Sequence, residues 1–481
     1  MGSHYNRAPM TEDRVKAILE SDIIKYGPCT SRGYLHYRSR SNTNQTITTR
    51  MWVKAAHRCY DIRLIYGNFY FNNGTEIDNS NSITVKAAVQ IGTEGEGTRY
   101  PVYFNNMRDV VIPAGKVVIS DPVPIDLDTD DEFYIRTYAD AGVGGYLPGV
   151  KLYKNGFDGV KLLDAWEAAT DKVDSGVLPT PGSGTTDTYA PIGIIATPMV
   201  RKPFVALIGS SSMNGTGDIG QLDTSDCGFA FRALGSKIGT LLLAPNSGRS
   251  DQFNAVCKNR IAQVTIGRAN YAIVDYGRNE IDYGMTAEQI QAQLLILFEK
   301  LTARGMKVYA CTVRPMTTST DLWMTVENQT KDAKNAVRIA VNGWLRTVPS
   351  PLTGIFDLAD AVESARDSGL WKAADLLLDT TATSGTTTSI RDTKTTFTPY
   401  QYNGLLVRTT KPDGTGEQLR IIENTYIPNN ALLVSSGTPF SPAPEAGDIM
   451  QVYGIYSNDG IHFTQLGHQA AADVIDTGLF V

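Results

Sequence analysis

The sequence predicts an α/β protein in which an open parallel sheet is combined with two all-β regions. Strand-like segments fill the first third of the chain, strands alternate with helices in the middle, and a second strand-rich stretch interrupts this alternation before the end. With 481 residues, the chain is long enough for roughly two to four domains. Hydrophobic residues make up 42% and charged residues 20%, a composition typical of a globular protein with a buried core.

Residues 1–33 are set apart from the strands that follow. The first four residues resemble the remnant of an expression tag. Residues 11–26 carry apolar side chains at helical spacing among polar ones, which predicts a short amphipathic helix and not a signal peptide.

Residues 34–174 are rich in Val, Ile, Tyr and Thr. Turn residues such as Asn73-Gly74 and Pro113-Ala114-Gly115 separate the strand-like segments. Short strands at this spacing predict an accessory β-sandwich of the jelly-roll kind. The predicted strands cover residues 45–55, 60–71, 82–91, 110–119 and 132–139.

Residues 175–202 are rich in Pro, Gly and Thr and predict a linker. Over residues 203–377, apolar runs suited to buried parallel strands alternate with helical stretches. The clearest helix has Thr286 and Gln289 as a capping box and Gly305 as its end. Such strand–helix units imply a sheet covered on both faces, with ligands bound beyond the carboxyl ends of the strands. The predicted strands cover residues 204–208, 240–243, 271–274, 307–313 and 354–358.

The alternation of strands and helices stops at residues 378–454. This stretch is Thr-rich and strand-like, with turns at Asn403-Gly404 and Pro412-Asp413-Gly414. The α/β pattern returns over residues 455–481, where a last helix begins near Thr464. The sequence therefore predicts a β insertion within the α/β domain.

Polar residues follow the carboxyl ends of the predicted strands, which is where active sites of α/β proteins lie. Ser211 follows the first parallel strand, Gly248 the second and Asn279 the third, while Asp459 and His462 lie in the loop before the last helix. Because the carboxyl ends of parallel strands meet at one edge of the sheet, we expect these residues to lie close together.

Ser211, His462 and Asp459 are the residue types of a nucleophilic triad. A serine hydroxyl is a weak nucleophile unless a base takes its proton, and the base needs a third group to fix its tautomer. The predicted α/β domain contains only two histidines, and Asp459 precedes His462 by three residues. His468, the other histidine, lies inside the last helix and is predicted to be structural.

These segments resemble the SGNH (GDSL-like) hydrolase family. That family has a Ser block, a Gly block and a G-x-N-D block after three successive strands, and a D-x-x-H block before the last helix. The D-G-I-H-F-T-x-x-G-H segment that begins at Asp459 is the most specific match, and the resemblance covers residues 203–360 and 455–481. It implies a three-layer α/β/α domain with flavodoxin-like topology and a serine carboxylic-ester hydrolase without metal or cofactor.

The resemblance also implies the role of each residue. Ser211, Asp459 and His462 match the catalytic positions. Asn279 and the backbone N–H groups of Gly248 and Ser211 match the oxyanion hole.

Three positions depart from the family pattern. Gly209-Ser210-Ser211 replaces G-D-S and leaves Ser212 as a rival nucleophile. Glu280 stands where the third block usually has Asp. In the second block, an ungapped alignment places Asp251 at the expected glycine, so the N–H group that serves the oxyanion stays open between this position and Gly248.

Other enzyme classes fit the motifs less well. The Gly215-x-Gly217-x-x-Gly220 segment matches a dinucleotide fingerprint, but it begins seven residues after Ile208 and no acidic residue ends the next strand. The nucleophile elbow G-x-S-x-G of α/β-hydrolases fails at Met213. No His and carboxylate spacing typical of a metal hydrolase is present.

The added β regions carry the prediction of substrate. Residues 390–456 resemble a β module of phage and prophage tail proteins, and residues 115–139 are similar to N-terminal domains of carbohydrate-active SGNH enzymes. This resemblance implies a carbohydrate O-acetylesterase acting on a polysaccharide, outside the cell or at a virion surface. Trp323, in the loop after the fourth parallel strand, is predicted to bind substrate, with a packing role as the alternative. A glycan-binding surface protein without catalysis, a lipase and a thioesterase remain open.

Charge and hydropathy exclude two classes of partner. The net charge of −6 is spread along the chain without a Lys/Arg run, which argues against nucleic acid and anionic membranes. No stretch approaches the roughly 18 apolar residues of a membrane span. The oligomeric state is not predicted.

Overall fold

The structure of the chain is a computed structural model. It describes residues 27–28, 36, 38–39, 45–92, 97–153, 169–178, 185–200, 202–218, 228–235, 238–398, 401–424, 430–434 and 437–480. The helix predicted over 11–26 lies outside these residues and stays a prediction. None of the described helices is long and apolar enough to cross a membrane.

The strands and helices are numbered in chain order. The strands are β1 (Gly27–Pro28), β2 (Arg38–Ser39), β3 (Thr46–Lys54), β4 (Cys59–Gly67), β5 (Phe69–Asn72), β6 (Thr75–Asp78), β7 (Ile83–Ile91), β8 (Thr98–Pro101), β9 (Asp109–Ile112), β10 (Val117–Ile119), β11 (Val123–Leu127), β12 (Glu132–Asp140), β13 (Pro148–Tyr153), β14 (Thr185–Thr188), β15 (Gly193–Pro198), β16 (Phe204–Gly209), β17 (Gly239–Leu243), β18 (Tyr271–Asp275), β19 (Lys307–Cys311), β20 (Thr317–Ser319), β21 (Gln329–Lys331), β22 (Gly354–Phe356), β23 (Asp375–Thr381), β24 (Ser384–Thr386), β25 (Ser389–Arg391), β26 (Leu406–Thr410), β27 (Gln418–Asn424), β28 (Ala431–Val434) and β29 (Ile449–Gly454). The helices are α1 (Phe229–Leu234), α2 (Ser250–Ala255), α3 (Lys258–Gly267), α4 (Arg278–Tyr283), α5 (Ala287–Thr302), α6 (Asn335–Arg346), α7 (Leu358–Val362) and α8 (Gln465–Asp473).

Antiparallel sheets form the N-terminal region. One has the strand order β1-β15-β4-β10 with β11 also paired to β4, and another has the order β3-β12-β7-β8 with β9 also paired to β7. Met51 and Ile135 from the second sheet lie in the same buried hydrophobic cluster as Leu64 and Tyr66 from the first. The two sheets therefore share a core.

Strand β15 lies within the segment that the sequence predicted as a linker, residues 175–202. It pairs with β4 through Gly193 opposite Ile65 and Ile195 opposite Arg63. Its apolar residues are buried, with Ile195 only 2% exposed. The linker prediction therefore does not hold for residues 193–198, because this apolar run completes an N-terminal sheet before the chain enters the parallel sheet.

The parallel sheet has the strand order β17-β16-β18-β19-β22. All neighbouring pairs in it are parallel, as predicted, and the strands lie close to their predicted bounds. In chain order this arrangement is 2-1-3-4-5, the order found in flavodoxin-like sheets. The point where the order reverses lies between β16 and β18, so the carboxyl ends of these two strands are the expected place for a site.

Hydrophobic residues on β16 alternate between two buried clusters. Ala206 and Ile208 belong to the cluster that contains the apolar residues of α5 and α6. Val205 and Leu207 belong to a second cluster, which contains residues of α1, α7 and α8. This alternation follows from the two-residue period of a strand.

The capping box predicted for α5 is confirmed. The Thr286 hydroxyl accepts a hydrogen bond from the N–H of Gln289 at 3.3 Å, and the Gln289 side-chain oxygen accepts one from the N–H of Thr286 at 2.9 Å. Gly305 follows the helix with a φ of 78°, in the left-handed region that favours glycine.

The β insertion forms an antiparallel sheet of order β23-β29-β26-β27-β28-β25-β24. Its hydrophobic core includes Leu406 together with Ile455, and Leu466 of α8 packs against it. The Asn458 side chain donates a hydrogen bond to the carbonyl of Gly404 at 3.1 Å. The insertion therefore packs against the loop that carries Asp459.

The β5–β6 hairpin joins the N-terminal region to the α/β region. Its turn residues Asn73 and Gly74 have φ angles of 46° and 80°, as the predicted Asn-Gly turn requires. A Cβ on Gly74 would lie 2.5 Å from the Cα of Gly248, so the turn touches the loop after β17. The Glu76 carboxylate accepts hydrogen bonds from the N–H groups of Asn259 at 2.9 Å and Arg260 at 3.2 Å.

Glu76→Ala should lower the free energy of unfolding by about 3–5 kcal/mol, because it leaves the buried Arg260 guanidinium without its carboxylate. Asp78→Ala, on the same hairpin, removes an exposed contact with Lys258 and should cost less than about 1 kcal/mol. Urea unfolding of both variants measures the difference. Equal small losses would show that the hairpin does not hold the two regions together.

Candidate active site

Ser211 begins the turn that follows β16. Gly209 ends that strand so close to β18 that a Cβ there would lie 2.9 Å from the carbonyl oxygen of Asp275. Beyond it the chain turns tightly, with the N–H of Thr216 donating to the carbonyl of Ser211 at 2.9 Å. Ser211 is therefore held half-buried at the carboxyl edge of the sheet.

The structure brings Ser211, His462 and Asp459 together in a chain of hydrogen bonds. Ser211 Oγ lies 2.9 Å from His462 Nε2, although the residues are 251 positions apart. His462 Nδ1 lies 2.7 Å from Asp459 Oδ2. Because an ionised carboxylate only accepts hydrogen bonds, Nδ1 carries the proton, and Nε2 is free to accept the proton of the serine hydroxyl.

The Asp459 carboxylate is fixed by its own loop. Its Oδ1 accepts hydrogen bonds from the N–H groups of Ile461 at 2.8 Å and His462 at 2.7 Å. Partial burial works against ionisation, but the hydrogen bonds from the His462 side chain and from these N–H groups outweigh it and hold the pKa of Asp459 at about 2. The carboxylate is therefore ionised at neutral pH.

Ser457 and Arg314 also hold the Asp459–His462 loop, and the sequence analysis missed both. Buried Ser457 accepts a hydrogen bond from the N–H of Gly460 at 2.9 Å and donates one to the carbonyl of His462 at 2.7 Å. Buried Arg314 donates through Nε to the carbonyl of Ile461 at 2.8 Å. Ser457 lies two residues before Asp459 and could have been suspected, whereas Arg314 is distant in sequence and gives no local signal.

Trp323 does not fit the substrate-binding role predicted for it. The residue is only 8% exposed, and its indole N–H donates to the Thr317 hydroxyl at 2.7 Å. A Cβ on Gly460 would lie 2.8 Å from its Cζ2 atom. A sugar ring needs an exposed aromatic face for stacking, so the alternative role applies: Trp323 packs beneath the loop that carries Asp459.

Asn279 lies at the start of α4, beside the loop after β17. Its side-chain Nδ2 donates to the carbonyl of Gly248 at 3.0 Å. The amide carries two N–H bonds, so one stays available for a ligand. The next residue, buried Glu280, accepts hydrogen bonds from the N–H groups of Gly277 at 2.9 Å and Ser250 at 2.6 Å. The carboxylate of Glu280 thus ties the loops after β17 and β18 together.

Gly248 does not fit the oxyanion role predicted for its backbone N–H. That N–H donates to the carbonyl of Pro245 at 3.0 Å and closes a tight turn. The backbone N–H of Ser211, in contrast, has no hydrogen-bond acceptor among the described residues. The Asn279 amide and the Ser211 N–H are thus the two predicted donors that could meet negative charge.

Ser212 and His468 take structural positions. Ser212 is fully buried, and the hydroxyl in contact with His462 belongs to Ser211. His468 accepts a hydrogen bond from the N–H of Phe229 at 3.0 Å, and its Nε2 lies 3.1 Å from the carbonyl oxygen of Thr216. Burial lowers the pKa of His468 to about 4, so it is neutral at neutral pH and holds the turn after Ser211.

The glycine-rich segment after Ser211 packs against the histidine loop. Gly217 has a φ of 90°, and a Cβ there would collide with the carbonyl of Phe463. Gly220, the third glycine of the segment, lies outside the described residues.

Across the part of the chain that is described, no three His, Cys, Asp or Glu side chains are grouped as metal ligands would be.

No protein-family model and no curated protein matches the sequence. Among solved structures, the chain is similar to a psychrotrophic esterase from Pseudoalteromonas sp., at 14% identity and a TM-score of 0.19, over 23% of this chain and 60% of that one. It is similar to a chain described as a GDSL-like lipase from Parabacteroides merdae, at 10% identity and a TM-score of 0.30, over 57% of this chain and 94% of that one.

A family two carbohydrate esterase from Clostridium thermocellum is similar at 10% identity and a TM-score of 0.26, over 69% of this chain and 86% of that one. The chain thus spans less than two thirds of the Pseudoalteromonas esterase. Likenesses at these TM-scores establish neither a shared fold nor an activity.

Proposed function

We propose that the chain is a serine esterase of the SGNH type, with Ser211 as nucleophile, His462 as base and Asp459 as the group that orients the base. The observation that carries the proposal is the hydrogen-bonded chain from Ser211 Oγ through His462 to Asp459, with distances of 2.9 and 2.7 Å. A serine hydroxyl that is hydrogen-bonded to the unprotonated nitrogen of such a histidine can lose its proton to it and attack a carbonyl carbon.

The acylation step follows from this arrangement. Ser211 Oγ forms a bond to the ester carbonyl carbon while its proton passes to His462 Nε2. The carbonyl oxygen becomes an oxyanion, and the ionised Asp459 stabilises the protonated imidazole. His462 then gives its proton to the leaving alcohol as the C–O bond of the ester breaks, which leaves an acyl group on Ser211.

Hydrolysis of the acyl-enzyme repeats the same steps with water. His462 takes a proton from the water as its oxygen attacks the acyl carbon, and returns the proton to Ser211 as the acid leaves. In both steps the oxyanion needs donors aimed at it. The Asn279 amide and the Ser211 N–H are the proposed donors. The proposed chemistry uses protein groups alone and calls for no metal or cofactor.

The proposal includes a domain organisation. Residues 203–377 and 455–481 form the hydrolase domain, in a three-layer α/β/α arrangement. The N-terminal sheets form a β-sandwich, and residues 378–454 form a β insertion. Support comes from the flavodoxin-like strand order and from the hydrophobic clusters on the two faces of β16.

We propose an O-acetyl group on a carbohydrate as the substrate, removed outside the cell or at a virion surface. Polar side chains follow the carboxyl ends of β16, β17 and β18. They include Asn279 and the pair formed by Asn214 and Asn246, whose amides lie 3.0 Å apart. Such side chains suit hydroxyl-rich ligands, whereas a lipase needs an apolar groove for its acyl chain. A surface glycan-binding protein without catalysis has no need for an aligned serine, histidine and aspartate.

Ser211→Ala should lower kcat for p-nitrophenyl acetate by about 10⁴-fold or more, because no other group can take its place as nucleophile. Thermal unfolding should change little, since Ser211 is only half-buried. Ser212→Ala is the matched control and should keep most of the activity. A dead Ser212 variant beside an active Ser211 variant would mean that the nucleophile is misassigned by one residue.

Asn279→Ala should lower kcat by about 10²–10³ with KM little changed, because its amide would meet charge that develops only in the transition state. Asn254→Ala removes an amide that contacts Gln293 on α5 and serves as the control. Steady-state kinetics on p-nitrophenyl acetate separates kcat from KM. A rise in KM at constant kcat would assign Asn279 to ordinary substrate binding.

Acyl-chain preference tests the proposed substrate. Across p-nitrophenyl acetate, butyrate and octanoate, kcat/KM should fall by about tenfold or more from the acetyl ester to the longer esters, because the polar side chains proposed to contact the substrate give the added methylene groups no apolar surface to pack against. Acetate release from acetylated polysaccharides should accompany this preference. A higher kcat/KM for octanoate would make the protein a lipase.

A further inference from the structure

A recess beside the proposed catalytic site is lined by cationic side chains. It is small and partly open to solvent. Its polar lining residues are Arg278, Arg314, Asp332, Lys334, Asn335 and Arg338. Arg278 immediately precedes Asn279, and Arg314 holds the carbonyl of Ile461 next to His462. The recess therefore adjoins residues from both sides of the proposed site.

Arg278 is a buried cation that lacks hydrogen-bond partners for part of its guanidinium group. The residue is 4% exposed, and its Nε and Nη1 atoms make no hydrogen bond to the described residues. Its Nη2 contacts the sulfur of Met316. The nearest carboxylate belongs to Asp282, whose Oδ1 lies 3.4 Å from Nη1 and whose side chain is 55% exposed. Because a buried guanidinium with so few acceptors is costly, the binding of an anion beside it would be strongly favourable.

The other charged groups of the recess are more fully engaged. Arg338 pairs with Glu363, and Arg314 lies 3.9 Å from Asp275. Lys334 donates from Nζ to the carbonyl of Asp282 at 2.8 Å, and within the described part of the chain it forms no ion pair with a carboxylate. Asp332 is the acid in the lining, and it accepts the N–H of Lys334 at 2.7 Å. Arg278 and Lys334 are thus the cations left to bind an anion.

The N-terminus of α6 adds positive potential to the same recess. Lys334 is its N-cap residue and provides no side-chain cap, and Asn335 is its first residue. The helix has 12 residues, and its dipole places a partial positive charge at this end, which the Asp332 carboxylate offsets in part through its contact with the N–H of Lys334. The helix dipole and the Arg278 Nε, which makes no hydrogen bond to the described residues, favour the same kind of ligand.

We propose that this recess binds an anionic group of the substrate, so that the preferred ester lies on an acidic glycan. The inference rests on the proposed esterase function and narrows its substrate class. The ligand chemistry is an oxyanion, either the carboxylate of a sugar acid or a sulfate or phosphate substituent. The protein itself has a net charge of −6, so this preference has to come from the recess and not from long-range attraction.

The test compares kcat/KM for acetylated oligogalacturonate with kcat/KM for its methyl-esterified, neutral counterpart. The wild-type protein should favour the charged substrate by about 10- to 100-fold, the effect of a charge-assisted hydrogen bond. Arg278→Gln should reduce this ratio by about tenfold or more. Lys258→Met, which removes a 62% exposed cation on α3, is the matched control and should leave the ratio unchanged. Acetylated sulfated and phosphorylated oligosaccharides show which oxyanion is preferred.

A wild-type ratio near one for all three anions, or an unchanged ratio in Arg278→Gln, would overturn the inference. If Arg278→Gln fails to fold, Lys334→Met on the rim of the recess takes its place, with the same expected direction. Binding of galacturonate and of inorganic sulfate to the Ser211→Ala protein, measured by calorimetry, gives a readout independent of turnover. Loss of anion binding in Arg278→Gln would support the anion site in the recess. If the Ser211→Ala variant nevertheless hydrolysed esters, the anion site would stand and the proposed esterase mechanism would be rejected.

Discussion

The two backbone hydrogen bonds that Ile461 and His462 donate to Asp459 are the contacts on which the site depends. They hold the carboxylate beside the imidazole. Burial works against ionisation of Asp459, but the hydrogen bond from the His462 side chain and these two backbone bonds outweigh it and hold the pKa at about 2. An ionised Asp459 fixes the proton of His462 on Nδ1, and Nε2 is left to accept the Ser211 hydroxyl. The reactivity proposed for Ser211 therefore begins with the conformation of a loop of a few residues.

This loop is short and exposed on one side, so other parts of the chain have to hold it. Ser457 and Arg314 bind its carbonyl groups, and Trp323 packs beneath Gly460. The β insertion reaches the same loop through Asn458, while the N-terminal hairpin touches the loop after β17. Both added regions thus contact the α/β sheet close to the proposed chemistry, which links their stability to the geometry of the site.

The sequence predicted what depends on local pattern. The apolar runs of the parallel strands, the capping box at Thr286 and the Asn73-Gly74 turn all followed from short-range rules, and the structure confirms them. Three interpretations failed for lack of tertiary information. The N–H of Gly248 donates to Pro245 within a turn, and Gly460 packs on Trp323. Residues 193–198 form a strand because they pair with β4, which is distant in sequence. Arg314 could not be found, since its contact spans 147 residues.

The central claim is that His462 activates Ser211 as a nucleophile. Its most direct test is incubation with a fluorophosphonate, which forms a stable bond with an activated serine, followed by peptide mass spectrometry. We expect a single adduct on the peptide that contains Ser211, located at Ser211 by fragmentation. The adduct should be absent from His462→Ala. An adduct on Ser212, or ester hydrolysis that persists with Ser211 unmodified, would contradict the account.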